Sequence, residues 1–192
     1  MLIASTYKGL LVQSTGFTGS HFIKWADGIS KGVTTYLRSH PSCIVSIGDI
    51  GTPGTGIGNG FLLKSTCQPT ILTTILLTNF QAVGFNGAFI TKLAIGLSKA
   101  TCNYLASANT LTTHAGVGVG TTIGGFFNLN PSLMAASILS ASSFVSTDWT
   151  KISQAISISL VTFFVSNVKF SIVIAGPPAP GIASGTGFGK IL

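Results

Sequence analysis

Threefold self-similarity dominates this sequence, and a repeat of this size restricts the chain to architectures that use one unit three times. Shifted by 68 positions, Gly16-Phe17-Thr18-Gly19 lies over Gly84-Phe85-Asn86-Gly87. Lys24 then meets Lys92, Gly28 meets Gly96, Ser30-Lys31 meets Ser98-Lys99, and Tyr36-Leu37 meets Tyr104-Leu105. A third copy opens at Pro131, as the second does at Pro69; in it Lys151 takes the place of Lys92 and Phe163-Phe164 that of Tyr104-Leu105. The copies run 1–68, 69–130 and 131–192, leaving no linker between them. A unit of about 65 residues buries only about 60% of its unfolded surface. We therefore expect the three to share one core as a single structural domain.

Each copy reads as a helix, a tight turn, a second helix, and two strands around a glycine-rich turn. The second helices carry the clearest apolar stripes. These are Phe22, Trp25, Ile29, Val33, Tyr36 and Leu37; then Leu93, Leu97, Ala100 and Tyr104; then Ile152, Ile156, Leu160 and Phe163. First-helix stripes are Ile71, Leu72, Ile75, Leu76 and Phe80 in copy two, Leu133, Met134 and Ile138 in copy three, and Leu2, Ile3, Leu10 and Leu11 in copy one. Strands are expected at Cys43–Ile47, Gly60–Leu63, Thr110–Ala115, Ile123–Leu129, Lys169–Ala175 and Gly187–Leu192, with Gly/Pro turns between them. The equivalent strands could meet in one sheet or close into a barrel. The expected class is α+β: three tandem ααββ repeats, each a helical hairpin plus a β-hairpin, in one compact body with pseudo-threefold internal symmetry.

Two positions four apart carry small residues in every second helix: Gly28 and Gly32, Gly96 and Ala100, Ala155 and Ser159. A helical glycine costs about 1 kcal/mol relative to alanine, so its recurrence asks for a packing reason. Small residues let helix backbones approach closely, and we expect these positions to pack the three second helices near a common axis or against a neighbouring subunit. Lys24 and Lys31 share a helix face, Lys92 and Lys99 repeat them, and copy three keeps Lys151 alone. These five form a possible basic contact face.

Composition narrows the function. Only 7% of the residues are charged, against about 25% in a typical soluble domain. No glutamate occurs; ten Lys/Arg against Asp27, Asp49 and Asp148 give a net charge of +7. The basic residues are scattered singly, so no nucleic-acid arm is expected. Cys43, Cys67 and Cys102 follow no metal or disulfide spacing and read as small buried hydrophobes in a reducing compartment. The N-terminal segment lacks a basic region leading into an apolar one, so no signal peptide is expected. Three acids and the non-equivalent His21, His40 and His114 leave little material for acid–base chemistry or a metal cage, and Asp49 reads as a turn residue. The runs at 54–60, 116–120 and 185–190 lack the spacing and following helix of a nucleotide site. No catalytic, cofactor-binding or metal-binding residue is assigned, and no cofactor or small-molecule substrate is expected. Uncharged stretches such as Ile152–Val168 are short and dotted with serine, so a membrane span is not expected.

The segment Ala26-Asp27-Gly28-Ile29-Ser30-Lys31-Gly32, the Gly-Thr-Gly-x-Gly run and the closing Gly-Thr-Gly-Phe-Gly-Lys-Ile-Leu resemble small Gly/Ser/Thr-rich virion structural proteins of large tailed bacteriophages. The resemblance spans the chain and rests on its style and repeat pattern. It implies a non-enzymatic particle component of the tail, baseplate, neck or head surface, with tail or baseplate favoured over head surface. Its partners would be other virion proteins and copies of itself, and its location the virion, assembled in the host cytoplasm. Apolar surface left uncovered by so few charges would be buried against those neighbours. The alternatives are a small phage membrane protein such as a holin, and a nucleic-acid-binding scaffold using the lysine face.

Overall fold

The computed structural model describes residues 3–39, 42–51, 54–61, 67–107, 109–116, 119–127, 130–175 and 181–191, with side chains described for 3–39, 67–107 and 130–168. Three helical hairpins follow one another along the chain. Each has a short helix and a long one: α1 (Ala4–Thr15) with α2 (Ser20–Ser39), α3 (Pro69–Ala82) with α4 (Ala88–Ser107), and α5 (Pro131–Ser142) with α6 (Thr147–Asn167). Local chemistry sets their ends. Pro69 and Pro131 open α3 and α5, where a missing N–H costs nothing. Asn130 caps α5 by accepting from the Ser132 N–H at 2.9 Å, and Ser146 caps α6 by accepting from the Trp149 N–H at 3.2 Å. Gly16 ends α1 in the left-handed conformation at φ 69°, and Ser143 does the same for α5 at φ 57°.

Each helix packs on the next along the chain, and α6 packs back on α1, so the six close into a ring. The core fills its interior and draws on every helix, with Tyr7, Leu11, Ile29, Tyr36, Leu37, Phe80, Phe163 and Phe164 among its largest buried side chains. The closing contact is aromatic. Tyr7 of α1 stacks on Phe163 of α6 with ring centroids 5.1 Å apart, a geometry that adds about 0.5–1.5 kcal/mol beyond area burial. The second-helix stripes lie buried, with Phe22 and Ile152 at their edges packed on the core. The first helices depart from expectation at two ends. In α1 the buried residues are Tyr7 and Leu11, while Ile3 is exposed at the N-cap. In α5 Leu133 is exposed and Met134 and Ile138 are buried.

The expected α+β class is overturned. Of the residues whose side chains are described, about 85% are helical and none lies in a strand, so the packed body is all-α. The helices bury one another around the ring and need no β-hairpin to complete each copy's core. Outside that body only backbone is described. It traces β1 (Ser42–Gly51), β2 (Gly54–Phe61), β3 (Asn109–Gly116), β4 (Val119–Phe127), β5 (Lys169–Ala175) and β6 (Gly181–Ile191). Each pairs antiparallel with the strand before and after it, and β1 closes on β6. No copy therefore owns a separate β-hairpin: β2 pairs with β3 and β4 with β5 across copies. Of the glycine run at 116–120, read as a turn, Gly116 ends β3, Val119 and Gly120 open β4, and 117–118 fall outside the described residues. The glycine runs at 54–60 and 185–190, also read as turns, are extended backbone within β2 and β6, and Asp49 lies inside β1. Pairing on both edges satisfies their N–H and C=O groups and overrides the turn preference of glycine.

Serine and threonine enter the helical core by bonding to their own backbone. Ser98 donates to the Ala94 carbonyl, Ser157 to that of Ser153, Thr34 to that of Ser30 and Ser142 to that of Ile138, all at 2.7 Å. Two buried tyrosines differ. The Tyr36 hydroxyl accepts from the Gln68 N–H at 2.7 Å at the start of α3 and lies 3.5 Å from Cys102 Sγ; burial and Cys102 raise its pKa above the usual range. The Tyr7 hydroxyl is fully buried near Ser159 without a partner at hydrogen-bonding geometry, and Ser159 Oγ donates to the Ile156 carbonyl at 2.9 Å. Removing a paired buried group leaves its partner unsatisfied, whereas removing an unpaired one does not. Tyr36→Phe should therefore cost about 1–2 kcal/mol in denaturant unfolding, whereas Tyr7→Phe should leave stability unchanged or raise it.

Candidate functional site

The small residues of the second helices form seams between hairpins. A methyl group added at Gly28 would lie 2.9 Å from Phe80 Cδ1, and one at Gly32 would lie 2.6 Å from Leu76 Cδ2 and 3.2 Å from its Cα. One added at Gly96 would meet the Ser142 backbone nitrogen at 3.0 Å. So α2 lies against α3, and α4 against α5, at distances that a side chain would forbid. In α6 the corresponding residues Ala155 and Ser159 are buried, as is Ala100 in α4, and Ser159 faces Tyr7 of α1. This corrects the expectation of second helices meeting at a common axis. Each glycine seam receives the short helix of the next hairpin, antiparallel to it. The sequence marked the small residues and could not mark their partners, which lie one copy further along.

With three faces buried, each long helix keeps a narrow exposed stripe. It carries Lys24, Lys31, Thr35 and Arg38 in α2; Lys92, Lys99 and Asn103 in α4; and Lys151, Gln154, Ile158 and Thr162 in α6. All five lysines of the possible contact face are therefore exposed, on three different helices. Asp27 holds Lys31 at 2.6 Å and Lys8 of α1 at 3.3 Å. Burial pushes the Asp27 carboxyl up, but the hydrogen bonds and charges of Lys31 and Lys8 outweigh it, and its pKa falls below the usual value. Among the described residues no ion pair joins Lys24, Lys92, Lys99 or Lys151 to an acid.

A second feature escaped the sequence reading. The turns joining short to long helices lie at the end of the ring away from the α2 and α4 C-termini, and they carry aromatic clusters. Phe89, Phe144 and Trp149 stack with centroids 4.6–5.2 Å apart, joining α4 to the α5–α6 turn. Around the α1–α2 turn Phe17 meets Phe22 edge-on, and Phe22 lies tilted against Trp25, with centroids 5.1–5.2 Å apart. Phe89 is 46% exposed, Phe17 47% and the neighbouring Val145 97%. The available signal was the alignment itself, which sets Phe17 over Phe85 behind a glycine in each turn.

Among the described residues no group of His, Cys, Asp and Glu could hold a metal ion, and no helix is long and apolar enough to cross a membrane. Cys67 and Cys102 are buried; burial raises the pKa of Cys102, and its hydrogen bond with Tyr36 partly offsets this. His21 lies exposed at the start of α2, His40 falls outside the described residues, and for His114 only its place in β3 is described. No protein family, curated protein or solved structure matches the chain.

The seams make a paired prediction. Gly96→Val, which drives a branched side chain into the α5 backbone, should lower unfolding stability by about 1–3 kcal/mol. Gly9 sits in α1 with open space around it, so Gly9→Ala should raise stability by up to about 1 kcal/mol. Urea denaturation of the two variants beside the parent reads both signs.

Proposed function

We propose that this chain is a non-enzymatic structural subunit of a bacteriophage virion, working by apolar burial against neighbouring subunits, with tail or baseplate favoured. The observation that carries the reading is the mismatch between charge and exposed apolar surface. Charged groups make up 7% of the chain, and those of the helical ring stand mainly in narrow stripes on the long helices. Large apolar side chains stay exposed at the turns, among them Phe17, Phe89 and Val145. A monomer with that surface is prone to association, and a permanent assembly supplies the cover. Stacked aromatic groups are also the residue types that dominate buried contacts between subunits. The resemblance of the Gly/Ser/Thr-rich repeats to virion structural proteins supports the same reading, and the partners it implies are other virion proteins and further copies of the chain.

Mass spectrometry of gradient-purified virions tests it. The chain should co-sediment with intact particles at a stoichiometry that is constant across preparations and survives detergent. A chain found only as free monomer, or only in the membrane fraction, would contradict the proposal.

A further inference from the structure

We infer that the turn end of the helical ring is the docking face, and that its occupant is an apolar protein surface bordered by carboxylates. The inference rests on the structural-subunit reading and adds where the contact lies and what chemistry it takes. Lys24, Lys92 and Lys151 are each the fifth residue of their long helix, so all three stand one turn from the same end of the ring. All are exposed, and none is paired to an acid among the described residues. The N-termini of α2, α4 and α6 lie at this end, each carrying a partial positive charge. Acidic side chains commonly offset that charge, yet α2 and α4 have none in the first turn and α6 has Asp148 alone.

The same end carries the aromatic rings, with Phe17 and Phe89 exposed and Phe144 and Trp149 half-buried against the core. Phe89, Phe144 and Trp149 are already stacked on one another, so little side-chain freedom is lost on contact. Val145 projects beside them, almost wholly exposed. Apolar clusters and unpaired cations at one end of the ring call for a partner that presents apolar side chains together with carboxylates. A second copy docking by the same face would set lysine against lysine, so self-association through this end is disfavoured. A lipid surface is less favoured, since the apolar groups form local clusters at the turns rather than a continuous helix face.

The probe is a labelled helical peptide of leucine and glutamate, titrated against the full chain. It should bind, shift the magnetic resonance signals of Trp149 and Phe89, and leave those of Tyr36 in place. Neutralising the three lysines (Lys24→Gln, Lys92→Gln, Lys151→Gln) should weaken binding about tenfold, as expected for three exposed charge pairs. Val145→Asp should weaken it as well. Thr35→Glu, Asn103→Glu and Thr162→Glu together change net charge by the same amount farther along the same stripes, and should leave affinity within about twofold of the parent. Unchanged helical circular dichroism and melting show that each variant is folded.

Absence of binding by the parent would overturn the inference, as would equal losses in the two charge-matched triples. Equally tight binding of polyglutamate would reduce the face to charge alone, and preference for phosphatidylserine vesicles or dimerisation through this end would assign it to another occupant; each result rejects the proposal. Virion content separates the two layers. A chain present in particles whose lysine-neutralised form binds and incorporates normally rejects the docking face alone, whereas a chain absent from particles rejects the structural-subunit reading.

Discussion

Close approach of helix backbones at the seams between hairpins is the constraint on which the rest of this molecule depends. A hairpin of one short and one long helix exposes too much apolar surface to stand alone. It is stabilised when the next hairpin's short helix lies in the groove that Gly28 and Gly32, or Gly96, leave open. The helical glycines therefore have a local cost that tertiary packing offsets. Because α6 receives α1 in turn, the chain's first helix completes the seam of its last hairpin. The Tyr7–Phe163 stack marks that closure. A defect at one seam should therefore be felt around the whole ring.

The same constraint shapes the surface. A long helix contacted by its own short helix, by the next one and by the core has one stripe left for solvent, and a few lysines and hydroxyl side chains suffice to wet it. That explains how a chain with so few charges forms a folded body. Buried serine and threonine follow from the same economy of space, since hydroxyls bonded to their own helix need no partner across a tight seam. The turns lie beyond the reach of the seams, and there aromatic groups remain open with the lysines beside them.

Much of the helical body was legible from residues alone. Stripes such as Trp25, Ile29, Val33, Tyr36 and Leu37 leave little choice but an amphipathic helix, and Pro69 and Pro131 mark helix starts chemically. The α1 register was less legible, because Tyr7 is buried where Leu2, Ile3 and Leu10 offered a stronger apolar signal. The fold class failed for a physical reason. Apolar and glycine-rich segments after each long helix suggested hairpins needed to complete three small cores, but the six helices already bury one another. Glycine runs favour turns locally, and at 54–60 and 185–190 pairing between distant segments, which no local pattern encodes, decided the backbone. At the candidate site, Gly28, Gly32 and Gly96 announced close packing. Nothing in one copy could say that the partner was the next copy's short helix, and of the aromatic groups at the turns only Phe22 and Trp25 stood in an apolar stripe.

Ring closure within one chain is the claim to test first. Nuclear Overhauser effects between the ring protons of Tyr7 and Phe163 report it directly, as the ring centroids are 5.1 Å apart across 156 positions of sequence. They should appear in uniformly labelled protein and persist when labelled chains are diluted into unlabelled ones, together with effects linking Gly32 to Leu76 and Gly96 to Ser142. Loss of the Tyr7–Phe163 effects on dilution would place that contact between molecules. Their absence altogether, with α1 amides exchanging as in a free helix, would leave α6 unmatched and contradict the closed ring.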